Sequence, residues 1–286
     1  MPEGNTEKTA ATLKVFFLLT YIFSWFFWLV AILASLKLIT IFLPVLAWVV
    51  IGAHGPLVAS FWLIYKAGGL SSIKKFLLSG FVLRMRLTWW IAIFALPILL
   101  AGAAFWFNIS TSNYQPDTTL LSQPLLIIPN LFFMFFLGGS FQEEFGWRGF
   151  ALPRMLSILN PLKASLLLGI IWGFWHLPLF YISGLSQSYM HFGFFLVLTV
   201  AFSFIFTWIF LKTGCNLFSA LFLHTTINTS LNIFPPIEQI TGGNQNAFIY
   251  LSLLYLAAAF FLVAWNRHFW FEKLTNFSQG EKANAT

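Results

Sequence analysis

The stretch LLIIPNLFFMFFLGGSFQEEFGWRGF, residues 125–150, carries no charge from 125 to 142 and then sets two glutamates, Glu143 and Glu144, side by side. The chain has only eight acidic residues. The other six, Glu3, Glu7, Asp117, Glu238, Glu272 and Glu281, fall in tails or connections. A helix that crosses a bilayer needs about 20 mostly apolar residues, and 125–147 is such a run. An acidic pair inside it must be either shielded or used, because a charge at the centre of a spanning helix costs on the order of 2.5–3.5 kcal/mol on insertion scales.

Working outward from this run, seven more of the same kind appear, at about 13–34, 42–65, 88–107, 163–181, 190–211, 215–233 and 247–265. The chain is 59% hydrophobic and 8% charged, against about 25% charged residues in a soluble protein. The runs are continuous rather than alternating, which argues against a membrane β-barrel. The expectation is an all-α polytopic membrane bundle of about eight transmembrane helices.

The net charge of +7 is orientation rather than a nucleic-acid footprint. With the N-terminus inside and the connections numbered alternately, Lys8, Lys14, Lys66, Lys74, Lys75, Arg84 and Arg86 fall inside. So do Arg148, Arg154, Lys163, Lys212, Arg267, Lys273 and Lys282, leaving Lys37 outside. That is the positive-inside pattern. It puts both termini on the cytoplasmic side, supports the eight-span count, and suits a bacterial cytoplasmic membrane with lipid, not nucleic acid, as partner. The first span is too long for a cleaved signal peptide and no A-x-A site follows it. Cys215 is the single cysteine, so no intrachain disulfide can form.

Residues 1–286 read as one integral domain, with a motif-bearing core at 125–235 and a polar tail at 272–286. Residues 66–86, basic with an apolar stripe, are expected to lie along the inner interface as a short amphipathic helix. The 108–124 connection, with Pro116 and Asp117, and the turn-rich 234–246 connection face the other side. No repeat of 20–50 residues is visible.

Glu144 and Arg148 are four apart, acid first, which stacks them on one helix face. A buried ion pair that only fixes helix packing would account for both. It leaves Glu143 unexplained, because consecutive helical residues point about 100° apart. Two later spans carry matching polar groups: His176 in IIWGFWHLPLF, and His224 and Asn228, four apart, in NLFSALFLHTTINTSLN. At 1.5 Å per residue, His176 lies roughly 20 Å from Lys163, His224 roughly 18 Å from Lys212 and Glu143 roughly 16 Å from Arg154. The four can therefore meet at one depth, provided the helix continues past Arg148 despite Gly149 and Pro153. The small residues Gly138 to Ser140 either pack helices closely or leave space beside a site. His54, within GAHGP, marks a kink; His191 and His268 fall at span ends.

A carboxylate removed from water is a better base, and imidazole and carboxamide N–H groups stabilise an oxyanion where water is scarce. This equipment suits amide hydrolysis. Alternatively, Glu143, His176 and His224 can hold Zn²⁺ with an open position.

In order, EEFGWR, WGFWH and HTTIN match an E-E-x-x-x-R, an aromatic-x-x-x-H and an H-x-x-x-N motif. Together they resemble the CAAX-processing and bacteriocin-processing (CPBP, or Abi) family of intramembrane endopeptidases, which includes the prenyl-protein proteases. The resemblance covers roughly 125–235. It implies that Glu143 activates the attacking water, that His176 holds or polarises it, and that His224 and Asn228 stabilise the oxyanion. Glu144, Arg148 and Trp172 would support the site. Both metal-dependent and glutamate-type mechanisms are described for the family; the chain lacks H-E-x-x-H. Trp172 stands where phenylalanine is common, a departure expected to be harmless. The implied substrate is a membrane-associated peptide, either a lipidated protein C-terminus of prenylated CAAX type or a bacteriocin-like peptide. Two other classes fit the buried cluster: a proton-coupled transporter using it as a relay, and a non-catalytic bacteriocin-immunity protein of the same fold.

Overall fold

A computed structural model of the chain describes residues 3–112, 117–237 and 244–273. Pro116, Glu238 and the tail from 274 onward lie outside the described residues. Every regular element among the described residues is helical.

The long helix α1, Glu3–Ser35, is followed by α2, Val45–Ala53, and α3, Gly55–Ser79. The last two are one run bent at His54, as GAHGP suggested. A second break falls at Gly68–Gly69, where Gly69 has φ +65°. Beyond it the basic 70–79 segment forms its own helical piece. Helix α4 covers Leu87–Thr111. The next run is built in pieces: α5, Thr119–Ser122; a 3-10 turn, Pro124–Leu126; α6, Ile127–Phe136; α7, Ser140–Glu144; a π-helical stretch, Phe145–Ala151; and α8, Leu152–Ile158. After α9, Pro161–Trp175, come two 3-10 turns, Leu177–Tyr181 and Ser186–Tyr189. Then follow α10, Phe192–Lys212, α11, Leu217–Ile233, α12, Asn246–Trp265, and α13, Arg267–Phe271.

Among the described residues seven helical runs are long and apolar enough to cross a membrane: Thr6–Ser35, Val45–Ser79, Leu87–Thr111, Pro124–Ile158, Pro161–Tyr181, Phe192–Lys212 and Asn246–Trp265. These coincide with seven of the eight expected spans. The remaining one, 215–233, forms α11, whose 17 residues rise about 25 Å at 1.5 Å each. It is shorter than the other seven, and most of it is buried against its neighbours. The composition is inverted relative to a water-soluble protein. Leu99, Phe132 and Phe260 are 67, 64 and 74% exposed, whereas Thr20, Ser24, Ser60, Ser165 and Ser203 are fully buried. An apolar exterior over a partly polar interior is the arrangement of an integral membrane protein.

Contacts identify which connections share an end of the bundle. Asn216 caps α11 by accepting from the Phe218 N–H at 3.0 Å, and its Nδ2 donates to the carbonyls of Val82 and Arg84 at 2.9 and 3.3 Å. Asn160 caps α9 by accepting from Lys163 N–H and donates to the Phe271 carbonyl. Lys212 lies over the Phe269 ring. In the first half of α1, Phe16 stacks on Phe150 with centroids 5.0 Å apart. The basic connections therefore gather at one end. At the other, the His191 N–H donates to Gln245, and Asn244 donates to Ser112.

Candidate active site

The helical run through the glutamates is interrupted twice, and both interruptions shape the site. The first is Gly139, with φ +109°, a conformation that glycine adopts without a Cβ clash. It ends α6 and starts α7 in a new direction. Its N–H donates to the Gln142 side chain at 2.9 Å, the glutamine half of a capping box. A Cβ on Gly139 would stand 2.8 Å from Glu143 Oε1 and 3.3 Å from His224 Nε2, so both atoms flank the bare glycine backbone.

The second interruption is the π-helical stretch. It carries the chain past Arg148 and Gly149 into α8, with Pro153 in the first turn of α8. The helix continues because the wider turn absorbs what Gly149 and Pro153 would otherwise break. Such turns recur at functional sites. A Cβ on Gly146 would come within 2.6 Å of the Pro56 carbonyl oxygen, so glycine there lets the π stretch lie against α3.

Glu143, His176, His224 and Asn228 all line one cavity of about 400 Å³. His54 does not line it; its Nδ1 is held by the Val50 carbonyl at 2.8 Å. Glu143 Oε2 accepts from the Trp172 indole at 2.6 Å and from the Trp147 indole at 3.3 Å. Oε1 is left beside Gly139 and His224. His176 Nδ1 meets the Trp172 carbonyl at 2.8 Å. A carbonyl only accepts, so Nδ1 carries the hydrogen and Nε2 has a free lone pair. His224 Nδ1 meets Glu144 Oε1 at 2.7 Å, which turns its Nε2 toward Gly139 and Glu143. Asn228 Nδ2 donates to the Gly138 carbonyl at 2.7 Å, so the break before α7 also anchors the amide.

Glu144 faces away from the cavity. Its Oε1 takes both His224 Nδ1 and Arg148 Nη1, the latter at 2.9 Å. Both Glu144 and Arg148 are fully buried. The guanidinium carbon lies 4.4 Å from the Trp172 ring centre and 3.9 Å from that of Phe206, a cation–π sandwich in place of water. The pair is more than a packing brace, because Glu144 also sets the orientation of a cavity imidazole.

Two participants, Trp147 and Gln142, were not among the expected site residues. Trp172, expected in a supporting place as a harmless replacement for phenylalanine, makes the shortest bond to Glu143, which a phenylalanine cannot make. Trp147 sits one turn after Glu143, and that four-residue spacing was the available signal. Gln142, three residues after Gly139, occupies the capping position next to a glycine pair. Among the described residues no three His, Cys, Asp or Glu side chains form a metal-holding group. The set Glu143, His176 and His224 therefore does not fit Zn²⁺ as arranged. The Trp172 ring lies edge-on at 5.8 Å from each imidazole, and one carboxylate oxygen is taken by indoles.

Residues 124–230 match the family model described as type II CAAX prenyl endopeptidase Rce1-like. A curated protein called CAAX prenyl protease 2, from Methanococcus maripaludis, is 30% identical over 148 residues, which cover 50% of this chain and 52% of that protein. The match thus spans about half the length of each.

Proposed function

We infer that this chain, whose residues 124–230 match the Rce1-like CAAX prenyl endopeptidase model, is an intramembrane endopeptidase that cuts a membrane-associated peptide with a water activated by Glu143. The observation that carries the reading is the asymmetric seat of the Glu143 carboxylate. Oε2 is held by two indole N–H groups, and Oε1 is free on the cavity wall beside His224 Nε2. One oxygen is fixed and the other is available.

In the proposed reaction, a water between Glu143 and His176 loses a proton to Glu143 Oε1 as its oxygen bonds to the scissile carbonyl carbon. The carbonyl π electrons move to oxygen. Asn228, with its second N–H, and His224 oppose that charge. A hydrogen on His224 Nε2 would make the ring an imidazolium whose charge Glu144 balances. The oxyanion then collapses, the C–N bond breaks, and the proton on Glu143 passes to the leaving nitrogen. General base catalysis of this kind supplies about 10²–10⁴ in rate. Glu144 and Arg148 hold His224, and Trp172 and Trp147 hold Glu143. A bacterial cytoplasmic membrane is the proposed location.

The test is mass spectrometry of prenylated CAAX-type and bacteriocin-like peptides after incubation with purified protein, with and without chelator. The wild type should generate fragments, and Glu143→Gln and His224→Ala should not, while both variants remain folded. Fragments from both variants at the wild-type rate would end this assignment.

A further inference from the structure

The cavity has a direction. From Glu143 it is lined toward the non-basic end by Leu46 at the start of α2, by Ser186, Gln187 and Met190 between α9 and α10, and by Pro236 after α11. Toward the basic end it is closed. Phe145, Trp147, Phe150, Ala151 and Leu152 follow the glutamates directly, and all are at most 1% exposed. No described residue of 54–132, of 144–171 or of 207–223 lines it. The basic residues lie at the closed end: Arg84 beside Asn216, Lys163 beside Asn160, Lys212 beside Phe269, with Lys74, Lys75 and Arg267 in the same connections.

Clustered Lys and Arg in short connections keep that end in the cytoplasm. Moving each positive charge outward against the membrane potential is unfavourable. The mouth and the positive face being opposite, we propose that the site opens to the non-cytoplasmic side, and that its substrate is a peptide whose scissile bond enters from the outer leaflet or outer surface. This rests on the endopeptidase reading. A lipidated C-terminus finished in the cytoplasm would sit in the inner leaflet, behind the plug of Phe145 to Leu152. The walls define the class further. Besides Glu143 and the two histidines, every lining residue among the described ones is uncharged, with Phe133, Met134, Leu137, Met190 and Phe195 among them. The segment accepted is apolar on both sides of the cut.

Access is tested without activity. In a Cys215→Ser background, Ser183→Cys and Gln187→Cys report the mouth and Ser71→Cys the basic end. A membrane-impermeant maleimide applied to intact cells should label the mouth positions, and label Ser71→Cys only after permeabilisation. The reverse pattern, or labelling of both ends in intact cells, overturns the proposal. The substrate is tested with an apolar quenched-fluorophore peptide library and full-length protein in sealed vesicles oriented as in the cell. Peptides added outside should be cut by the wild type and not by Glu143→Gln. Cleavage in detergent but only of peptides trapped inside the vesicles sinks outer access and leaves the endopeptidase standing. Outward labelling with no Glu143-dependent cleavage in either setting sinks the endopeptidase and its substrate, and leaves the outward mouth standing.

Discussion

Glu143 and Glu144 are neighbours in the chain and belong to different regions of the molecule. Glu143 faces the hollow half of the bundle, where its carboxylate meets only neutral donors and keeps one oxygen free. Glu144 faces the solid half, where Arg148 and His224 share one of its oxygens among packed aromatic rings. The same side chain is thus poised for proton transfer on one side of a helix and locked as a counter-charge on the other. A 100° turn separates the two environments. What distinguishes the two residues is what surrounds each, since their chemistry is identical.

That contrast can be broken at either residue. Glu143→Gln should have the largest effect, a fall of about 10²–10⁴ in cleavage rate, with the thermal melt in detergent close to wild type. Unfolding of this variant would mean that Glu143 belongs to the solid half after all. Glu144→Ala should instead act on stability. It leaves Arg148 buried without its counter-charge, a loss of about 3–5 kcal/mol, read as a lower melting temperature and poor recovery. Glu144→Gln combined with Arg148→Met should restore much of the stability and little of the activity, since a neutral amide can accept from His224 Nδ1 but cannot balance a charged imidazole.

Smaller changes sharpen the boundary between the regions. Gly139→Ala forces a Cβ into a left-handed position, at about 1–3 kcal/mol, and against both Glu143 and His224. Its rate should fall more than its stability predicts, measured as kcat against melting temperature across a set of Gly139 variants. Trp172→Phe removes one hydrogen bond to a charged group, on the order of 1.5 kcal/mol, or roughly tenfold in kcat, with KM little changed. Trp147→Phe should cost less in rate because its contact is 3.3 Å rather than 2.6 Å. Equal losses from the two would mean that the indoles serve packing alone.

Most of the bundle was legible because lipid imposes a simple rule on composition. Runs of about 20 apolar residues must become helices, and the structure has them where they were expected, with α11 shorter than the rest. Three site helices could be named from single residues, His176, His224 and Glu143, because a polar side chain in such a run needs a reason. Harder to read was the passage from Gly138 to Pro153. Glycine and proline there argued against a continuous helix, and only packing against α3 and α11 stabilises the π-helical turn that keeps it. The role of Trp172 was hidden for a related reason: its hydrogen-bond partner lies 29 residues away, and an indole in an apolar run looks like any other ring.

Composition and the placement of charge, by themselves, determined a helical membrane protein, the number of its apolar runs and the residues able to carry chemistry, because the cost of placing polar groups in lipid acts on each segment separately. Only the tertiary structure decided which glutamate faces the cavity, which ring nitrogens remain free and at which end the cavity is lined by connections. Those properties depend on distances between helices, which arise when side chains from distant parts of the chain fill the same space.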